Sequence, residues 1–135
     1  MDKQLYKSYE GSFRVGAAVS GLFYDEESFA AKHFNIVVAE NDTKMENMFP
    51  EPDTYNFSAA DKFIAMAKAN GQDIRWHTLV WHNQSPDWIF KDADGNKVSK
   101  QVLNQRLKDY IFTIGNRYSK DVCSVDVVNE CISDK

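Results

Sequence analysis

Four short apolar runs alternate with stretches of helical spacing along this chain, and that alternation limits its fold more than any other feature. The runs cover residues 14–19, 34–39, 74–80 and 122–129. Between the first two, residues 25–34 read as a helix with acids in its first turn. Ala60, Phe63, Ile64 and Ala67 recur at helical spacing in a second, with Ser58 as N-cap, Asp61 at the capping-box position and Gly71 as the C′ residue. A polar loop holding Pro50 and Pro52 leads into it. Val102, Leu103, Leu107, Tyr110, Ile111 and Ile114 mark a longer helix after a turn at 92–96. Continuous apolar strands alternating with helices predict an α/β fold, a parallel sheet covered by helices. Functional residues in such folds gather at the C-terminal ends of strands. Glu40, Asn41, Trp81, His82, Asn129 and Glu130 all fall at those ends.

With 135 residues the chain is long enough for one domain with its own core. A net charge of −4 without any Lys/Arg cluster argues against a nucleic-acid partner. No apolar run approaches the roughly 20 residues that a membrane span requires. Met1-Asp2-Lys3-Gln4 leads straight into polar sequence, so no signal peptide is read. If one strand carries both Cys123 and Cys131, they lie roughly 26 Å apart. A disulfide needs Cα atoms within about 7 Å, so two free thiols are expected.

The stretch Trp76-His77-Thr78-Leu79-Val80-Trp81-His82-Asn83-Gln84-Ser85-Pro86-Asp87-Trp88 mixes indoles, imidazoles, amides and an acid. A sugar ring calls for that mixture: its C–H faces stack on indole, and its hydroxyls need donors and acceptors. A carboxylate at Glu130, closing a Val-Val strand, would sit partly desolvated, which raises its pKa and suits a general acid. Asn129 beside it is a donor for a substrate hydroxyl. Each residue has a plainer reading. Glu130 could cap a helix or join an ion pair, Glu40, Asn41 and Lys44 could be a solvated loop, and Trp88 reads first as core. His77 and His82 lie on opposite faces if the strand continues, and spacing offers no third ligand, so no metal is expected. No cofactor is expected either.

Taken together, these segments resemble glycoside hydrolase family 10, the endo-β-1,4-xylanases. Residues 34–46 are similar to the family's Phe-Asn-x-x-x-x-Glu-Asn-x-x-Lys segment, and Tyr55-Asn56-Phe57-Ser58-Ala59-Ala60-Asp61 to its entry into the second helix. Residues 77–88 resemble its His-Thr-Leu-Val-Trp-His stretch, and Asp126-Val127-Val128-Asn129-Glu130 its Asp-Val-Val-Asn-Glu motif. The resemblance implies a (β/α)8 barrel and a retaining double displacement on xylan or xylooligosaccharides. Glu130 would be the acid/base and Asn129 would hold the sugar 2-hydroxyl. Glu40, Asn41 and Lys44 would bind glycone-side xylose units, and His77, Trp81 and Gln84 would line the sites nearest the cleaved bond. A cis peptide at His77-Thr78 is also implied. The chain departs from the family pattern at Thr43, in place of a usual methionine, and at Trp76, in place of a usual glycine, which is expected to add bulk near the sugar sites. Val125 and Cys131 are further departures.

A (β/α)8 barrel needs about 250 residues. Residues 1–135 therefore read as the N-terminal portion of such a domain, strands one to four, a half barrel. The family's nucleophile belongs to the seventh strand, so the chain is expected to be inactive alone. Its first and fourth strands would be open edges, to be met by the C-terminal half barrel or by a second copy. The resemblance implies a secreted or periplasmic parent protein. Two rival readings remain: a non-catalytic carbohydrate-binding domain on the same remnant, and a small doubly wound domain, for which no phosphate-binding glycine loop speaks.

Overall fold

A computed structural model describes residues 3–21 and 29–132. Four parallel strands, β1 (Gly16–Val19), β2 (Ile36–Ala39), β3 (Asp73–Val80) and β4 (Ser124–Val128), lie side by side in the order β1-β2-β3-β4. Helices α1 (Phe29–His33), α2 (Met45–Met48), α3 (Ser58–Ala69) and α4 (Lys100–Tyr118) fall between them. The acids expected in the first turn of the first helix, Asp25 to Glu27, lie outside the described residues. Both cysteines are free and exposed. No helix among the described residues is long and apolar enough to cross a membrane.

Alternation along each strand sends one set of side chains toward the helices and the other to the open face. Ile74, Trp76 and Thr78 of β3 are buried, as are Val37 and Ala39 of β2 and Val19 of β1. Phe63, Ala67, Tyr110, Ile114 and Tyr118 from α3 and α4 complete this core. Arg75, His77 and Asp126 come from the other set, on the open face of the sheet. Gly16 belongs to that face as well. A Cβ there would stand 2.7 Å from Ile36 Cγ2 and 2.9 Å from the Ile36 carbonyl oxygen, so the close pairing of β1 and β2 admits only glycine.

Three local expectations are corrected. The polar loop after β2 contains α2, whose Met45 and Met48 are buried in the core. Ser58 is the first residue of α3 rather than its cap, and Asn56 Oδ1 instead accepts from the Ser58 N–H at 3.2 Å and its hydroxyl at 2.8 Å. Asp61, freed from capping, joins α3 to α4 through Arg117 at 2.5 Å and Tyr118 at 2.7 Å. Trp76 adds no bulk near the rim: it is 1 % exposed on the helix side, its ring 4.8 Å from that of Tyr118.

Candidate functional site

The C-terminal ends of β2, β3 and β4 and the loops leaving them bring five of the expected site residues together. The Trp81 indole is the centre. Its Nε1–H donates to Glu130 Oε2 at 2.9 Å, and Lys44 Nζ lies over its ring, 5.0 Å from the centroid. The indole face is electron-rich, so an ammonium over it is attracted. The same ammonium donates to Asn41 Oδ1 at 3.0 Å and Gln84 Oε1 at 2.5 Å, and Gln84 Nε2 donates to Asn41 Oδ1 at 3.2 Å. Lys44 is only 8 % exposed, and a lysine buried this far needs such acceptors.

Backbone geometry fixes these positions. The Glu46 N–H donates to the Gln84 carbonyl at 2.9 Å, tying the start of α2 to the loop after β3. The Ser85 hydroxyl donates to the Trp81 carbonyl at 2.6 Å. Among the described residues, Asp53, Gln84 and Glu130 are the non-glycine positions with positive φ, at 56°, 49° and 50°. Side chains disfavour that region, and its occupation concentrates at functional sites. Two of the three here are candidate site residues.

Deeper along the strands, His77 pairs in register with Asp126, and its Nδ1 lies 3.0 Å from Asp126 Oδ2. Arg75 grips the same carboxylate, with Nε 3.1 Å from Oδ2 and a terminal nitrogen on Oδ1. Burial pushes the Asp126 carboxyl up, but the hydrogen bonds and charges of Arg75 and His77 outweigh it and hold the group below the usual carboxylate range. The Thr78 hydroxyl donates to the Asp126 carbonyl at 2.8 Å. The His77-Thr78 peptide is cis, as the resemblance implies, and the Thr43 hydroxyl donates to its carbonyl at 2.5 Å.

The other expected residues stand apart from this cluster or differ from expectation. Glu40 is exposed at the end of β2, its N–H bonded to the Val19 carbonyl. Asn129 is half-buried, its N–H on the Val80 carbonyl. The Glu130 side chain is 55 % exposed, covered in part by its contact with Trp81. Its Oε2 also lies 3.7 Å from His82 Nε2. Trp88 takes the plainer role: its ring packs edge-on to Phe49 and its N–H donates to the Phe49 carbonyl. Arg75 and Asp126 adjoin the site through His77 without being among the residues expected there from the sequence. The available signal was a charged residue inside each of two apolar runs, where an unpaired charge is costly.

Residues 4–135 match the family model described as Glycosyl hydrolase family 10. The chain is 46 % identical to endo-1,4-beta-xylanase B of Paenibacillus barcinonensis over 97 % of its own length and 40 % of that protein's. It is 42 % identical to endo-1,4-beta-xylanase A of Thermotoga maritima, over 96 % of this chain and 13 % of that one. Among solved structures, xylanase XynB from Paenibacillus barcinonensis, complexed with a conduramine derivative, superposes with a TM-score of 0.92, covering 98 % of this chain and 40 % of that one at 46 % identity. A psychrophilic family 10 endo-beta-1,4-xylanase gives a TM-score of 0.94 at 34 % identity, covering 99 % of this chain and 42 % of that one. The chain thus spans about 40 % of the length of most of these relatives, and its four parallel strands with the helices between them are half of a (β/α)8 barrel.

Proposed function

Because the chain belongs to glycosyl hydrolase family 10, we propose that it is the N-terminal portion of the catalytic domain of an endo-β-1,4-xylanase that cleaves xylan with retention of configuration. Glu130 is the acid/base, protonating the leaving oxygen and then activating water. Asn129 holds the sugar 2-hydroxyl. Glu40, Asn41 and Lys44 bind the glycone side, and His77, Trp81 and Gln84 line the sites nearest the bond cleaved. The observation that carries this reading is the contact of Trp81 with Glu130 at 2.9 Å, with Lys44 over the same indole. It joins a stacking face, an acid and a bank of hydroxyl partners on one rim.

Retention needs a second carboxyl group about 5–5.5 Å from the first. The resemblance assigns that group to a later strand, so the present chain is inactive by itself. β1 and β4 are the outer strands of the sheet, and their free edges are where the C-terminal half barrel joins. The test is to coexpress the chain with the C-terminal half of the Paenibacillus barcinonensis xylanase and assay xylan hydrolysis. Activity that appears only with both halves, and disappears with Glu130→Gln, supports the reading. A two-half complex with no activity, or activity indifferent to that substitution, overturns it. Light scattering of the chain alone reveals whether a second copy takes the edges instead.

A further inference from the structure

We propose that Asp126 is a positioning residue that keeps the proton of neutral His77 on Nδ1, leaving Nε2 as a bare acceptor for a sugar hydroxyl. The sugar half of this inference rests on the reading of the rim given above. The tautomer half rests on geometry alone.

The carboxylate of Asp126 faces donors on both oxygens. Arg75 supplies two N–H groups, at Nε and at a terminal nitrogen, and His77 Nδ1 lies 3.0 Å from Oδ2. Arginine has no acceptor and stays charged, so it holds Asp126 in its ionised form. An ionised carboxylate only accepts hydrogen bonds. The nitrogen that faces it must therefore carry a hydrogen, and in a neutral imidazole the other nitrogen is then unprotonated. Strand pairing sets the arrangement, since His77 and Asp126 are register partners in β3 and β4, and the Thr78 hydroxyl fixes the Asp126 carbonyl at 2.8 Å.

The consequence is chemical selectivity at the rim. The His77 ring centroid lies 6.2 Å from that of Trp81, the residue that also touches Glu130. A bare Nε2 accepts the hydrogen of a hydroxyl, but it has nothing to offer a ring oxygen or a glycosidic oxygen, which are acceptors only. His77 thus reads the hydroxyl-bearing edge of the pyranose that stacks nearby. Without the Asp126 carboxylate the ring would be free to present a donor there instead.

Long-range nitrogen–proton spectra of the 15N-labelled chain at pH 8, without sugar, test this directly. The histidines are three, His33, His77 and His82, and single His→Gln substitutions assign them. In the parent, His77 should show a protonated Nδ1 and an unprotonated Nε2. In Asp126→Asn the two nitrogens should exchange shift classes, because Arg75 keeps the asparagine oxygen and turns its amide N–H toward the imidazole; in Asp126→Ala, with no acceptor left at Nδ1, the fixed protonation of Nδ1 should be lost. The His33 signals report that each variant is folded, and the isosteric asparagine variant decides if alanine is not tolerated. A parent spectrum with the proton on Nε2, or an unchanged His77 pattern in a folded Asp126→Asn, overturns the proposal. Neither outcome depends on hydrolysis, so it is separable from the xylan assay.

Discussion

The indole N–H of Trp81 donates to Oε2 of Glu130 across 2.9 Å, joining the end of β3 to the end of β4 on the rim of the sheet. Glu130 is 55 % exposed there. A glutamine in its place still offers an acceptor to the indole. Glu130→Gln should therefore leave the unfolding free energy within about 0.5 kcal/mol of the parent, the usual range for exposed substitutions. Urea denaturation checks this, and a large loss would mean that the carboxylate serves the fold rather than a ligand.

Lys44 is the opposite case. Its buried ammonium satisfies Asn41 and Gln84 at once. Lys44→Met keeps the aliphatic stem but leaves Gln84 Oε1 without its donor, while Asn41 Oδ1 still accepts from Gln84 Nε2, at a cost of about 1–3 kcal/mol. The urea midpoint should fall accordingly, and a midpoint equal to the parent's would show that solvent replaces the ammonium freely.

Two glycines should respond with opposite signs. At Gly16 an added Cβ meets Ile36 at 2.7 and 2.9 Å, and one of those contacts is backbone. Gly16→Ala should destabilise by about 1–3 kcal/mol, as overpacking does. Gly115 lies inside α4 with nothing within 4 Å of the added atom. Gly115→Ala should stabilise by about 0.5–1 kcal/mol through the lower backbone entropy of the unfolded chain. Thermal melts of the two variants should move apart from the parent in opposite directions.

The hydrogen bond from Arg117 holds the Asp61 carboxyl below the usual carboxylate range, against a smaller upward push from burial. A depressed folded-state pKa contributes stability in full above the ordinary value of about 4, and that contribution is lost as pH falls through the folded value. Asp61→Asn should therefore be less stable than the parent at neutral pH, with the gap closing below about pH 4. Urea melts across an acid series measure the two slopes, and parallel slopes would remove Asp61 from the acid response.

Trp76 fills the space between β3 and Tyr118 at 1 % exposure. Trp76→Ala should cost about 3–5 kcal/mol, the range for emptying a large aromatic site. Trp81 fluorescence should remain on the rim if the variant is rescued at low temperature.

The strand–helix order, the parallel sheet and the rim position of residues 41, 81 and 130 were legible because each rests on local periodicity or on strand ends, whereas residues 44 and 84 lie beyond those ends and were reached through the family resemblance. What escaped depends on register between segments far apart in the chain. Arg75 and Asp126 are unremarkable charges until β3 and β4 pair and place them on one face. Asp61 sits at a capping-box position, yet a partner on α4 claims it. The face toward which Trp76 points follows from strand parity once the strand's bounds are known, and a glycine usual at that position carries no information about facing.

Because the sheet is laid down in the same order as the chain, each new strand emerges from synthesis to find its only earlier neighbour already in place. No strand has to wait for a later one to be inserted between itself and its partner. The sheet can therefore grow vectorially, one strand and its helix at a time, and the contact between residues 81 and 130 forms only once β4 has paired with β3.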